Sequence, residues 1–171
     1  GIEMNAPHDQ DSVLARFMRG PALLEHALAG IRVAELDAIP SRGGWTIRQI
    51  VHHLADGDDL WKLGIKVALG NDRAEFSLDW YRTQSQEAWA EKWAYANRSL
   101  DVSLAFLRAS RIHIEQLLGQ SPDGWHRSVS FRKPDGEIER LPVGAIVEMQ
   151  ADHVEHHVKQ ICAIRSEVDG V

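Results

Sequence analysis

A chain of 171 residues with 44% hydrophobic and 26% charged side chains has the size and composition of one globular domain, long enough to bury a core without a disulfide or metal as a staple. Its net charge of −6, with no Lys/Arg cluster, argues against nucleic acid or an anionic membrane surface as partners. A single cysteine, Cys162, excludes an internal disulfide or a thiolate cluster and suits a reducing, cytoplasmic setting.

No stretch approaches the roughly 18 to 20 apolar residues of a membrane span, and the polar segment 1–10 lacks the apolar core of a signal peptide. Residues 1–10 read as a flexible tail. Asp11 or Ser12 caps a short helix through Arg19, which Gly20 ends. Pro21 suits the first position of a new helix, whose apolar positions Leu24, Leu28 and Ile31 recur at helical spacing. Pro40, Gly43 and Gly44 mark a loop. Thr46 then N-caps a helix running to about Leu69, before Gly70-Asn71. A polar and aromatic connection covers Asn71 to about Ser85. The longest helix is predicted from about Gln86 to Leu118, a stretch free of Pro and Gly. The turn signals Ser121-Pro122-Asp123-Gly124 and Lys133-Pro134-Asp135-Gly136 frame a short two-stranded hairpin that includes Val129, Phe131, Ile138 and Leu141. Pro142 opens a last helix to about Glu167. The expected fold is all-α: a single domain over residues 1–171, an antiparallel four-helix bundle at about 20–167, with a short β-hairpin before the last helix.

Nine histidines are a rich supply, and five fall in two groups, His52-His53 and His153, His156, His157. At about 100° per residue, Ile50, Leu54, Gly57, Leu60, Trp61, Gly64 and Val67 form the apolar stripe of the second helix, with His53 on its edge. Arg48, His52, Asp56, Asp59 and Lys62 form a polar stripe, so His52 is expected to face water. On the last helix Ile146, Gln150, His153, His157, Ile161 and Ile164 follow the rhythm of a packed seam, with His156 at the boundary and also expected to be solvated. His153 and His157 are four residues apart, so both imidazoles can reach one ion. Two buried imidazoles must satisfy four ring nitrogens, and a metal satisfies one on each. Three protein nitrogens from His53, His153 and His157 leave a coordination position open, which is the catalytic arrangement.

Gln160 is a candidate to hydrogen-bond a ligand ring. Cys162 reads as a small packing residue, Trp80 and Trp125 as candidate pocket walls, and His8, His26, His113 and His126 as surface or local structural residues. No nucleophile triad, phosphate-binding glycine loop or inward carboxylate cluster can be picked out.

The segment Gly43-Gly44-Trp45-Thr46-Ile47-Arg48-Gln49-Ile50-Val51-His52-His53-Leu54-Ala55-Asp56 and the closing His153-Val154-Glu155-His156-His157-Val158-Lys159-Gln160-Ile161 strongly resemble the DinB/YfiT superfamily. The resemblance covers about residues 20 to 167. It implies a four-helix bundle whose metal ligands are the second His of the first block and the first and third of the last, here His53, His153 and His157. Zinc and nickel both suit imidazole. Relatives resemble metal-dependent hydrolases, or transferases and isomerases that use a low-molecular-weight thiol such as bacillithiol or mycothiol. The Gly-Gly-Trp-Thr block is closest to the YfiT branch, associated with thiol S-transfer.

The leading expectation is therefore a metal-dependent transferase that conjugates a low-molecular-weight thiol to small electrophiles, in detoxification or stress response. A metal-dependent hydrolase that delivers hydroxide from bound water is the alternative, weakened by the lack of a nameable general base. A non-catalytic metal-binding stress-response module is the third. All three expect a small molecule as partner and are compatible with a homodimer, which the resemblance implies.

Overall fold

The computed structural model describes residues 4–170. Side-chain caps open three helices. At α3 (Ile47–Gly70), Thr46 Oγ1 accepts from the Gln49 N–H while Gln49 Oε1 accepts from the Thr46 N–H at 2.9 Å. Ser85 caps α4 (Gln86–Lys92) and Ser99 caps α5 (Leu100–Gly119). These bonds, reciprocal at Thr46 and single at Ser85 and Ser99, satisfy donors that the first helical turn leaves free. The last helix, α6 (Val143–Val168), starts directly after Pro142, as expected.

The first helix differs from expectation. Gly20-Pro21 does not divide it, and α1 runs unbroken over Gln10–Ala27. A proline inside a helix has no N–H for the carbonyl four residues back, here Phe17 O. Arg111 supplies the missing donor, with Nη1 2.6 Å from Phe17 O. Gly20 makes this possible, since a β-carbon there would lie 2.9 Å from Arg111 Nη1. One helical turn, α2 (Val33–Leu36), follows.

The predicted 86–118 helix is two helices. The α4 helix closes when Tyr95 N–H donates to Ala90 O at 2.9 Å and Ala94 N–H to Glu91 O at 3.1 Å, with Ala94 left-handed at φ 55°. This is the Schellman pattern, usually flagged by glycine; alanine in that place hides the break. The hairpin forms as expected from β2 (Ser128–Arg132) and β3 (Ile138–Pro142), antiparallel with Val129 opposite Leu141. A strand absent from the sequence reading, β1 (Glu75–Ser77), pairs parallel to β2 with Phe76 beside Phe131. Three residues are too few to show periodicity.

The segment read as a tail makes contacts from residue 4 onward: Ala6 is buried and Pro7 O accepts from Trp125 Nε1 at 2.8 Å. Residues 1–3 lie outside the described residues.

The four long helices form the bundle. Helix α1 packs on α5 and α6, and α3 packs on the same two, so α1 and α3 lie across a diagonal. Contacts give directions. Arg16 meets Glu155 while Arg165 reaches Ala27 O, so α1 and α6 run alike. Gly57 faces His153 while Gly64 faces Ile146, so α3 and α6 are antiparallel. His52 meets Ser103 and Lys62 meets Ser110, so α3 and α5 run alike. The connection 71–99, with β1 and α4, carries the chain back to allow this.

The core is two apolar clusters. One gathers Phe17, Ile65, Ile114, Trp125 and Ile146; the other Leu24, Ile50, Leu54, Leu107 and Ile161. Between them lies a polar layer with a residue from each helix. Arg111 Nη2 donates to Asp58 Oδ1 at 2.8 Å and to Gln150 O at 3.1 Å, beside its bond to Phe17 O. Among the described residues, no helix is long and apolar enough to cross a membrane.

Candidate metal centre

Helical phase on α3 and α6 brings His53, His153 and His157 together at the polar waist, with one ring nitrogen of each within 4.8 Å of the others. His53 Nε2 and His153 Nε2 are 3.1 Å apart. His157 Nδ1 donates to Gln160 Oε1 at 2.7 Å, as anticipated for Gln160, which leaves Nε2 with the lone pair. Trp45, placed by the loop before α3, packs its ring 4.6 Å from that of His53.

Burial holds all three rings neutral. It pushes His53 down to about 4, aided by His157, and His153 down to about 3, aided by His53 and His157. His157 is also lowered by burial, against the opposing effect of its bond to Gln160. A neutral imidazole offers a ligand lone pair; an imidazolium does not. Two nitrogens at the ~2.0–2.1 Å typical of zinc, at tetrahedral angles, would stand about 3.3 Å apart. The 3.1 Å between His53 and His153 is close to that. The donor set therefore fits a divalent ion.

His52 does not face water. It is fully buried, its Nε2–H donating to Arg98 O at 2.9 Å and its Nδ1 accepting from Ser103 Oγ at 2.7 Å. The stripe that carries it is polar, as read, but α5 and the turn before it cover that stripe: Arg48 donates to the same Arg98 O and Lys62 to Ser110 Oγ. With both nitrogens occupied, His52 is a structural residue. His156 is exposed, as are His8, His26, His113 and His126. Cys162 is exposed rather than packed, on the outward phase of α6.

The histidines border a cavity of about 530 Å³ whose apolar walls are Trp45, Leu60, Trp61, Tyr81 and Met149. Trp80 and Trp125 do not contribute: Trp80 is half exposed and Trp125 is buried beside Gly144. Two carboxylates border the cavity, and both are engaged. Asp58 is held by Arg111 and by Gln150 Nε2, and Asp152 by Arg16. Burial opposes ionisation of Asp58, and the Arg111 guanidinium favours it. A second cavity of about 620 Å³ shares Trp45 and Gln86 with the first and is lined further by Gln49, Glu87, Glu91 and Asn97. The polar layer escaped the sequence reading; only a buried phase for Asp58, Arg111 and Gln150 taken together would have shown it.

Residues 16–161 match the model of the DinB superfamily. A protein of Oceanobacillus iheyensis, provisionally named a metal-dependent hydrolase, is 28% identical over 145 residues, covering 84% of this chain and 78% of its own. One from Geobacillus thermodenitrificans with the same provisional name is 26% identical over 152 residues, covering 89% and 82%. Among solved structures, YfiT from Bacillus subtilis is described as a probable metal-dependent hydrolase with an unusual four-helix bundle topology. It is similar over 99% of this chain and 93% of its own, with a TM-score of 0.80 and 26% identity. A mycothiol-dependent maleylpyruvate isomerase shares the fold over 92% of this chain and 63% of its own, with a TM-score of 0.66 and 18% identity.

Proposed function

The chain belongs to the DinB superfamily, and on that footing we propose that it is a metal-dependent transferase that joins a low-molecular-weight thiol to a small electrophile. One zinc or nickel ion would be held by His53, His153 and His157. One observation carries this: three neutral imidazoles converge on a cavity whose carboxylates are all engaged, so a nucleophile that needs no protein base suits it best. When bound, such an ion would hold the thiol by its sulfur and keep it deprotonated, a good nucleophile at neutral pH.

The chain's own residues do the rest. Gln160 fixes the tautomer of His157. Trp45 packs against His53 and borders both cavities. Trp61, Leu60 and Tyr81 offer apolar contact to an electrophile and keep water from it. The adjoining cavity has room for the remainder of a thiol. We read the setting as cytoplasmic and the partners as small molecules.

Hydrolysis is the second reading, favoured by the provisional names of the relatives. It ranks lower because a hydrolase draws on a general base to take a proton from water, and Asp58 and Asp152 are already paired.

The test begins with elemental analysis of the protein and of a His153→Ala/His157→Ala double variant, both prepared without a metal-affinity tag. About one zinc or nickel per chain, lost in the double variant, is expected. The loaded protein is then offered thiols with electrophiles, and separately esters and amides. Conjugates support the proposal; hydrolysis without conjugation transfers support to the second reading; no metal after reloading ends both.

A further inference from the structure

Gln150 lies on the same face of α6 as His153 and His157, three and seven residues before them, and forms part of the wall of the histidine cavity. It is 3% exposed. Its Nε2 donates to Asp58 O at 3.3 Å and Asp58 Oδ1 at 3.0 Å. The amide cannot be reversed, because its oxygen would then oppose two acceptors. Asp58 in turn is fixed by Arg111. Gln150 Oε1 is thus left in a set orientation, and among the described residues it is the one buried side-chain polar atom with no hydrogen-bond partner. Buried acceptors are almost always paired, since an unpaired one loses its hydration for nothing.

We infer that Gln150 is a specificity-determining residue of the histidine cavity: its Oε1 accepts a hydrogen bond from an N–H or O–H of the molecule seated there, so the site selects ligands that carry a donor beside their metal-binding atom. Two further observations agree. Among the described residues, no Lys or Arg borders this cavity or the adjoining one, so neither offers a fixed cation to an anionic group. The amide is almost wholly buried in the cavity wall, so a ligand must seat closely against that wall to pair with it. The inference rests on the metal-site reading but not on the identity of the thiol.

The experiment uses two probes that bind metal ions through the same oxygens and differ in one donor: acetohydroxamate, with an N–H, and N-methylacetohydroxamate, without it. Both are titrated against the cobalt-loaded full chain and its Gln150→Met variant, followed by the cobalt absorption bands. The native chain is expected to prefer the N–H probe by about tenfold, the worth of one buried hydrogen bond. The variant should lose that preference. A preference that persists in the variant reports only the bulk of the methyl group and overturns the inference, as does no preference in the native chain. In parallel, the side-chain amide NMR resonances of Gln150 in the native, zinc-loaded chain should shift with acetohydroxamate and not with its N-methyl analogue, a readout independent of whether the variant folds. Equal shifts overturn the inference. Failure to take up cobalt or zinc at all sinks the metal reading and this inference with it, a result distinct from equal binding of the two probes.

Discussion

Loss of Arg111 should cost the fold heavily. It is 1% exposed, its partner Asp58 4% exposed, and its ring of contacts joins all four long helices. Arg111→Met keeps an unbranched chain over Phe17, where the guanidinium now lies 4.2 Å from the ring centre. It strands two groups. Asp58 becomes a buried carboxylate without its cation, a change that costs about 3 to 5 kcal/mol. Phe17 O loses the donor that Arg111 supplies, and Pro21 has no N–H to replace it, at about 1 kcal/mol or more. The sum is about 4 to 6 kcal/mol, a fall of roughly 10 to 20 °C in melting temperature for a chain of this length. Urea unfolding followed by circular dichroism measures it. The second contribution has its own signature. Pro21→Ala restores an N–H to Phe17 O, so it should rescue the Arg111→Met background by about 1 kcal/mol more than it changes the native chain. Replacing the whole pair, Asp58→Leu with Arg111→Met, should recover much of the loss. A cost under about 1 kcal/mol for Arg111→Met, or an identical effect of Pro21→Ala in both backgrounds, would refute the reasoning.

Three other outcomes follow from the same contacts. His52→Ala should lower stability, through loss of the bonds to Ser103 and Arg98, yet leave the metal content unchanged, whereas His53→Ala should abolish it; elemental analysis beside thermal melts separates them. In the metal-free protein, His53 and His153 have folded values of about 4 and about 3, below the ~6.5 of an unfolded chain. The unfolded state therefore takes up protons first, so stability should be flat above about pH 7 and fall as the pH drops from about 6.5 toward 4. His53 alone contributes on the order of 3 kcal/mol to that fall, and urea midpoints across the range, with and without zinc, check it. Ala94→Gly should be neutral or stabilising by up to about 1 kcal/mol, since glycine relieves the left-handed backbone but gains freedom when unfolded; a clear loss of stability would mean that the Ala94 methyl packs against something essential.

What could be read from the residues alone follows the range of the interactions involved. Thr46 as an N-cap, the Pro-Asp-Gly turn of the hairpin, and the four-residue spacing of His153 and His157 are local patterns, each complete within a few residues, and the fold places each where it was read. The misread features depend on distant partners. Gly20-Pro21 looks like a helix boundary because the donor that repairs it comes from residue 111. Helical phase correctly made the stripe of His52 polar but had no means to know that α5 would cover it. Strand β1 exists because β2 lies beside it. The break between α4 and α5 is the exception, a local feature concealed because alanine occupies a glycine position.

The repair of α1 and the geometry of the histidines are one problem, which explains why a buried ion pair belongs at this depth. His53 and His153 sit on antiparallel helices, so sliding α3 against α6 by one residue would carry their nitrogens about 1.5 Å apart along the axis. Apolar packing above and below resists such sliding only softly, because hydrophobic contacts have no direction. Hydrogen bonds do. Asp58 follows Gly57, whose face meets His153, and it holds Gln150, which lies one turn before His153. The Asp58–Gln150 contact thus ties α3 to α6 beside the site. Arg111 ties the same carboxylate to α5 and, through Phe17 O, to α1. The proline that deprives Phe17 O of its helical partner, and the glycine that makes room, free that carbonyl to become the fourth attachment. Three imidazoles from two helices keep a separation suited to one ion because the layer beneath them is directional and linked to every helix of the bundle.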